Sequence, residues 1–232
     1  MPLLGSAAML LSFDVLPGAV DEHDHWHTHE HLPERLAIPG FLRGTRWVAL
    51  RGVPRYCVLY EVASLQTLNS AAYLDRLNHP SRWTARVMPH YRGMRRGLCT
   101  VRGSWGLGLG NVALLLRFKP AAGATDSLRA WLTHTLLPAL PARPGLGGAH
   151  LLEVAAAPVM TEEQRIRGVD AGVDWAVLVS GYALSVLADP VPLGLAKPQL
   201  EAQGARDVEQ ALYRIDYTLG GHDLAPRSDP SC

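Results

Sequence analysis

DEHDHWHTHEHLPERLAIPG, residues 21–40, and DSLRAWLTHTLLPALPARPG, residues 126–145, are two versions of one sequence. At a constant offset of 105 positions and with no gap, nine of the twenty residues are identical. The shared positions include a tryptophan, a histidine and the closing proline and glycine. Self-similarity at a fixed spacing indicates that one structural unit occurs twice, so the chain is predicted to be a duplication.

The flanking residues extend the repeat. MLLSFDVLP (9–17) precedes the first copy and VALLLRFKP (112–120) precedes the second, and both are apolar runs that end at a proline. Such runs indicate buried strands, and each copy has the length and the Pro-Gly end of a helix. In the first half we predict strand 7–16, helix 20–37, strands 41–50 and 55–62, a helical region 64–91 and strand 92–101. In the second half we predict strand 111–119, helix 125–141, strands 145–156 and 173–180, short helices within 182–204 and strand 207–218.

Both halves thus follow the order β-α-β-β-α-β, which is the ferredoxin-like unit. The predicted boundaries are a first repeat with the His-rich helix (1–102), a glycine-rich linker (103–110), a second repeat (111–220) and a flexible tail (221–232). Residues 157–172 lengthen the hairpin of the second repeat. An antiparallel sheet with helices on one face leaves its other face to be covered. We therefore predict an α+β fold in which two tandem repeats pack their sheets face to face or as a barrel.

The composition excludes several classes of protein. Hydrophobic residues make up 48% of the chain and charged residues 19%, which is enough to build a core. The formal net charge of +1 argues against nucleic-acid binding, and the three cysteines form no Cys-x-x-Cys pair, which favours a reducing compartment. No run approaches the roughly 20 apolar residues that span a bilayer. We expect a soluble, cytoplasmic monomer or homodimer whose partner is a small-molecule substrate, with no nucleic acid and no membrane.

The motif Trp-x-x-x-Glu-His-x-Pro-Glu-x-x-x-x-Pro-Gly-Phe occupies residues Trp26 to Phe41. It resembles the first helix of dimeric α/β-barrel proteins, among them the EthD-like proteins, muconolactone isomerases and antibiotic-biosynthesis monooxygenases. The resemblance covers the first repeat well and the second mainly over residues 111–146. It implies two ferredoxin-like repeats packed as a dimeric α/β barrel within one chain, where many relatives pair two chains. It also implies chemistry on a small organic molecule.

Five of the ten histidines lie between residues 21 and 31, one at every second position. On a helix, His23, His27 and His31 share one face. The second copy has leucines at the three corresponding positions, Leu128, Leu132 and Leu136. Leucines at this spacing are typical of the buried stripe of an amphipathic helix. Because buried imidazoles need polar partners, this difference between the copies points to a site.

Three interpretations of these histidines stay open. The helix can be solvated, or its histidines can be structurally satisfied. Alternatively, His31 is an acid–base residue with His27 as its partner, in a cavity enclosed by the sheets, since an imidazole pKa of about 6.5 suits proton transfer near neutral pH. The third interpretation is a metal site, because His-x-x-x-His on a helix can present two imidazoles to one ion. The His-Glu-x-x-His order and an evident third ligand are missing, so we predict no metal.

Together with the resemblance, these residues predict a cofactor-independent enzyme that acts on a small aromatic or lactone-like metabolite. The reaction classes that we expect are isomerisation, cyclisation, hydrolysis or an EthD-like monooxygenation. His31 and His27 are the candidate catalytic residues. The candidate substrate-binding residues are Trp26, Glu34, Tyr60, Trp83 and Arg95. The alternatives are a non-catalytic small-molecule binding protein and a His-ligated metalloenzyme.

Overall fold

The computed structural model describes residues 3–156, 159–168, 170–172 and 174–224. The elements of the first repeat are β1 (Ala7–Val15), α1 (Val20–Trp26), a π-helical turn (His27–His31), α2 (Leu32–Leu36), β2 (Phe41–Arg51), β3 (Tyr56–Val62), α3 (Ala71–Asn78), α4 (Arg82–Val87) and β4 (Tyr91–Gly106). Those of the second repeat are β5 (Val112–Pro120), α5 (Thr125–Trp131), a second π-helical turn (Leu132–Leu136), β6 (Leu146–Ala156), α6 (Glu162–Arg167), β7 (Ala171–Gly172), β8 (Trp175–Gly181), α7 (Leu184–Leu187), α8 (Lys197–Ala202) and β9 (Ala205–Gly220). Short 3-10 turns lie at Pro17–Ala19, Leu65–Asn69, Met88–His90, Leu137–Ala139 and Gly221–Leu224.

Both halves have the predicted order of elements, with α6 and β7 added within residues 157–172, but the linker and the tail differ from the prediction. β4 continues through Gly106 because its last residues pair with β6 of the other repeat, where Ser104 is opposite His150. The first four residues of the expected linker 103–110 are therefore strand, and only 107–111 connect the repeats. Residues 221–224 of the expected tail form a helical turn, and residues 225–232 lie outside the described part of the chain.

Eight strands form a closed antiparallel barrel in the order β1-β3-β2-β9-β5-β8-β6-β4, and β4 pairs with β1 to complete the circle. Each repeat contributes four neighbouring strands, and the two sheets join through the pairs β2–β9 and β4–β6. The short β7 adds to β4 in parallel, outside the barrel order. The two repeats thus remove each other's open sheet edges, which would otherwise present unpaired backbone groups.

The barrel interior is a packed core of apolar side chains in the part of the chain that the structure describes. Small and large apolar side chains from both repeats fill it, including Ala8, Leu10, Trp47, Leu115 and Leu178. The helices cover the outside of the barrel and bury a separate core in each repeat. Because side chains alternate between the two faces of a strand, each strand serves the interior and one of these outer cores. Among the described residues, no helix has the length and apolar character needed to cross a membrane.

The π-helical turn occurs at the same place in both repeats. The backbone N–H of Leu32 donates to the carbonyl of His27, five residues back, and Leu137 donates to Leu132 in the same way. A proline follows each turn, Pro33 in the first repeat and Pro138 in the second. Proline has no N–H and its ring excludes the carbonyl four residues back, which is a sufficient cause for the wider turn. Since the second repeat, which has leucines in place of the histidines, has the same π-helical turn, the turn is a feature of the fold and not of the histidine-rich sequence.

Candidate active site

A small cavity of about 30 Å³ lies between the helices of the first repeat and the outer face of its sheet. The expectation of a cavity enclosed by the two sheets is therefore wrong, because apolar side chains fill the barrel interior. Both the strands and the helices contribute apolar and polar side chains to the cavity wall. Its lining residues are Met9, Leu11, Phe13, His27, His31, Arg35, Tyr60, Tyr73, Leu77, Met88, Tyr91, Met94, Arg96, Glu163 and Arg167.

The histidine face predicted from the sequence is buried. His23, His27 and His31 are 0%, 2% and 8% exposed, respectively. His25 and His29 lie on the exposed side of the helix. In the second repeat, the leucines corresponding to His23 and His27 are buried in the apolar core. The imidazoles therefore occupy core positions.

His23 is structurally satisfied. Its Nδ1 donates to Asp24 Oδ1 at 3.0 Å, so the neutral ring accepts at Nε2 from the Tyr91 hydroxyl at 3.1 Å. Asp24 also accepts a hydrogen bond from the Tyr56 hydroxyl at 2.8 Å. Burial lowers the pKa of His23, and the hydrogen bond to Asp24 opposes that effect. This histidine fastens the helix to the sheet.

His27 and His31 differ from His23, because the Nδ1 atom of each is buried and has no hydrogen-bond partner within the described residues. Their ring centroids are 5.5 Å apart, and both rings line the cavity. Burial lowers the pKa of both imidazoles well below the ordinary value, and the positive charge of Arg35 adds to the effect. Both rings are therefore neutral at pH 7, and each offers a free nitrogen to a ligand.

Arg35 continues the same helix face, one turn after His31. Its counterpart at the offset of 105 is Leu140, which is fully buried in the second core. The sequence comparison stopped at the three histidines and missed this fourth exchange of a polar residue for leucine, although the aligned repeats show it. Arg35 is 1% exposed and pairs with Glu163, which lies in α6 of the second repeat. Its Nη1 atom lacks a hydrogen-bond partner among the described residues.

Two further arginines reach the cavity. Arg96 Nη2 donates to the Tyr73 hydroxyl at 3.0 Å, and its Nη1 lies 3.9 Å from Asp170. Arg167 pairs with Asp170 at 2.6 Å and lies 4.0 Å from Glu163. These side chains are almost completely removed from water, so their interactions are weakly screened. The polar part of the lining thus consists of three guanidinium groups, the Glu163 carboxylate, two neutral imidazoles and tyrosine hydroxyls.

The structure brings only some of the predicted substrate-binding residues to this cavity. Tyr60 lines it, and its buried hydroxyl has no partner among the described residues. Trp26 lies behind the wall, with its ring centroid 4.4 Å from that of His31 and its Nε1 donating to Glu30 and Thr84. The Trp26 ring therefore supports the His31 ring from behind and does not face the cavity.

The other predicted residues lie elsewhere. Glu34 points away from the cavity, towards Arg76 at 3.6 Å. Trp83 packs on the exposed His25, with ring centroids 5.4 Å apart. Glu34 falls outside the lining because it lies on a flank of the helix whose His27 and His31 face meets the sheet, and Trp83 falls outside it because its ring packs on the exposed side of that helix.

Arg95 lies on β4, which does line the cavity, but its side chain points to the opposite face of that strand. It is half-exposed, pairs with Glu209 at 2.5 Å and lines a surface groove with Arg117. Its neighbour Arg96 faces the cavity, since successive residues of a strand point to opposite faces. The apolar residues Met94 and Leu98 have the same parity as Arg96 and belong to the same core, which is a signal that the sequence contained.

A metal centre has no support from the side-chain arrangement. In the described residues, no group of three or more His, Cys, Asp or Glu side chains is placed to hold a metal ion. Cys57 and Cys99 are free and buried in the barrel interior, and burial raises the pKa of each thiol to about 12. They are therefore inert protonated thiols at neutral pH.

Comparison with known proteins finds relatives only by structure: neither a family model nor a curated protein matches the sequence. The structure is similar to that of an anthrone oxidase-like protein, with a TM-score of 0.67 and 11% identity over 98% of this chain and 99% of that one. It is also similar to a candidate monooxygenase from Fusobacterium nucleatum subsp. nucleatum, with a TM-score of 0.57 and 10% identity over 94% and 95% of the chains. A third similar structure is that of a candidate monooxygenase from Lactobacillus acidophilus NCFM, with a TM-score of 0.51 and 8% identity over 93% of this chain and 96% of that one. At these identities the likeness concerns the fold.

Proposed function

Since this chain has the fold of the dimeric α/β-barrel superfamily, we propose that it is a cofactor-independent enzyme that transfers a proton on a small aromatic or lactone-like metabolite. The observation that carries the proposal is the pair His27 and His31. Both imidazoles are buried with an unpaired nitrogen at one cavity, on a helix whose twin carries leucines. Such an arrangement costs stability, and sequences retain such costs where they serve function.

The cavity supplies the groups that a proton abstraction needs. A neutral imidazole accepts a proton from an acidic C–H or O–H group of the substrate. Arg35 and Arg96 offer guanidinium N–H groups, and Tyr60 a hydroxyl, to an oxygen on which negative charge develops. Burial raises the pKa of Tyr60, so its hydroxyl stays protonated and able to donate. The methionine, leucine and phenylalanine side chains of the wall contact the apolar remainder of the substrate.

His31 is the first candidate for the base, with His27 as its partner. In the free protein, protonation of His31 is opposed by burial and by the charge of Arg35. An anion formed in the same cavity offsets both effects, because an opposite charge nearby favours the imidazolium. Proton transfer is therefore favoured when the substrate anion stays bound beside the new imidazolium.

The bound anion then has two outcomes. It is reprotonated at another atom, which is an isomerisation, or it reduces O2. Anthrone illustrates the second outcome and is a suitable probe, since one structural relative is described as anthrone oxidase-like. In the balanced reaction, anthrone and O2 give anthraquinone and water. The methylene carbon loses two hydrogens and gains one oxygen atom, and the other oxygen atom leaves as water.

The test compares the wild-type protein with His27→Leu/His31→Leu, which restores the residues of the twin helix. His25→Leu/His29→Leu is the matched control, since it makes the same changes on the exposed side of the same helix. We expect the wild type and the control to form anthraquinone at equal rates and the first variant to lose at least about 100-fold in kcat/KM. Deuterium exchange at the anthrone methylene in D2O under argon reports the proton step alone. Equal rates in all three proteins contradict the assignment of the base, and absence of both reactions in the wild type contradicts proton abstraction from this class of carbon acid.

A binding protein without catalysis is the second candidate, because the unpaired nitrogens of His27 and His31 can also hold a ligand without transferring a proton. Native mass spectrometry after incubation with anthrone separates the two functions. A complex that holds unchanged anthrone for hours in air supports binding only, whereas release of anthraquinone supports the enzyme.

A further inference from the structure

The cavity of the first repeat is closed by α6 of the second repeat. This helix packs on α3, α4 and the turn Met88–His90. The backbone N–H of Glu162 donates to Asn78 Oδ1 at 3.2 Å, and Ile166 packs against the first core. Glu163 and Gln164 face inward and are buried. One wall of the site thus comes from an insertion that the first repeat does not have.

Glu163 places a carboxylate inside a site that is otherwise rich in cations. Its side chain is 3% exposed and bonds to the guanidinium of Arg35, with Arg167 at 4.0 Å. Three buried arginines and two buried carboxylates surround the cavity, which leaves one positive charge in excess when the imidazoles are neutral. Outward movement of α6 would carry Glu163 and Arg167 with it and leave Arg35 without its carboxylate partner. Burial of charge is costly unless it is paired, so the site favours an anion.

The unpaired groups also fit an acceptor-rich ligand. Arg35 Nη1 and the Tyr60 hydroxyl are buried donors without a hydrogen-bond partner in the described residues. A carboxylate accepts several such hydrogen bonds, and Arg binds it in a forked geometry. The surrounding wall of Phe13, Met88 and Met94 suits an aromatic ring.

The volume identifies which wall must move. The cavity holds about 30 Å³, enough for roughly two water molecules, whereas a benzene ring needs a cavity of about 150 Å³. The strand walls belong to the closed barrel, and the wall formed by the π-helical turn and α2 faces the outer core of the first repeat. Outside its own repeat, α6 rests on α3, α4 and the turn Met88–His90, and β7, which follows it in the chain, shares only two residue pairs with β4. Outward movement of α6 would therefore do two things at once: it would enlarge the cavity, and it would separate Glu163 from Arg35.

We propose that this cavity binds a small aromatic carboxylate whose carboxylate group replaces Glu163 on Arg35 as α6 moves outward. Glu163 then acts as an internal substitute for the ligand that keeps the empty site closed and its arginine paired. The inference rests on the proposed function in that it names the substrate class for the same cavity. It does not depend on which histidine takes the proton.

The test uses benzoate as the probe and titration calorimetry as the measurement. In Glu163→Gln the side chain keeps its size but no longer competes as an anion. Because a tethered competitor reduces the fraction of molecules with a free Arg35, we expect benzoate to bind this variant at least about tenfold more tightly than wild type. Glu162→Gln is the matched control: it removes the adjacent carboxylate, which is half-exposed and pairs with Arg165, and its Kd should equal that of wild type. Adding Arg35→Leu to Glu163→Gln should abolish the gain.

Two further measurements keep the inference open to refutation if a variant folds poorly. Neutral benzamide should bind wild type and Glu163→Gln equally, since it carries no charge to exchange. In the wild-type protein, saturating benzoate should increase hydrogen exchange at the backbone amides of residues 163–167, because α6 leaves its packed position. Equal benzoate affinity in wild type and Glu163→Gln would contradict the replacement of Glu163 by the ligand carboxylate. Protection of these amides by benzoate would contradict it as well. Either result leaves the anthrone test of the histidines unaffected, and failure of that test leaves the benzoate result unaffected.

Discussion

Replacing the two cavity histidines by the residues of the twin helix should stabilise this protein. In His27→Leu/His31→Leu, two buried nitrogens without partners disappear, and the helix face becomes apolar as it is in the second repeat. The same substitution removes the candidate base. The double substitution is therefore expected to raise stability and lower activity, as is typical of functional sites that reduce the stability of a protein.

The magnitude follows from the two unpaired groups. Each buried polar atom without a partner costs about 1–3 kcal/mol, so the pair costs about 2–6 kcal/mol. Leucine is bulkier than histidine, and overpacking in a cavity this small reduces the gain in stability by about 1 kcal/mol or more. A net gain of about 3 kcal/mol in the free energy of unfolding is the central expectation, which for a chain of this length raises Tm by roughly 6–12 °C.

Urea unfolding followed by circular dichroism at pH 7 and pH 5 measures the effect. The gain should be larger at pH 5: unfolded histidines bind protons below about pH 6.5, whereas the buried rings do not, so acid favours the unfolded wild type by about 1.4 kcal/mol per histidine and pH unit. His25→Leu/His29→Leu should change stability by less than about 0.5 kcal/mol, because both residues are exposed. A double variant that is less stable than wild type at both pH values would falsify the reasoning, since it would mean that the imidazoles are satisfied in the folded state.

Two other outcomes follow from the buried charges and rings. Arg35→Leu and Glu163→Leu should each destabilise the protein by about 3–5 kcal/mol, because each leaves a buried charge without its partner. The double variant should lose much less stability than the sum of the two single losses. Chemical unfolding of the four proteins measures this, and additive losses would contradict a buried ion pair. The stability of the wild type should fall as the pH decreases from about 6.5 to about 4, since burial lowers the pKa of His23, His27 and His31 and lowers that of His150 to about 4. A stability curve that is flat across this window in pH-dependent thermal melts is the contrary result.

Several features of the fold followed from the sequence because their causes are local. The repeated block with its flanking apolar runs predicted two ferredoxin-like units, and the dimeric α/β-barrel resemblance is confirmed at the level of the fold. The helix face of His23, His27 and His31 was likewise predictable, because helical spacing alone places these residues together. Comparison with the twin helix extended one turn further would also have identified Arg35, opposite the buried Leu140.

The sequence by itself therefore determined the duplication, the mutual covering of the two sheets and the helix face that carries the histidines, since these depend on periodicity and on the need to cover apolar surface. Only the tertiary structure decided which groups of that face are satisfied. His23 finds Tyr91, 68 positions away, whereas His27 and His31 keep an unpaired nitrogen. It also decided that Glu163 reaches Arg35 across 128 positions. Such pairings depend on strand register and on the docking of an insertion from the other repeat, and no local pattern of residues encodes either.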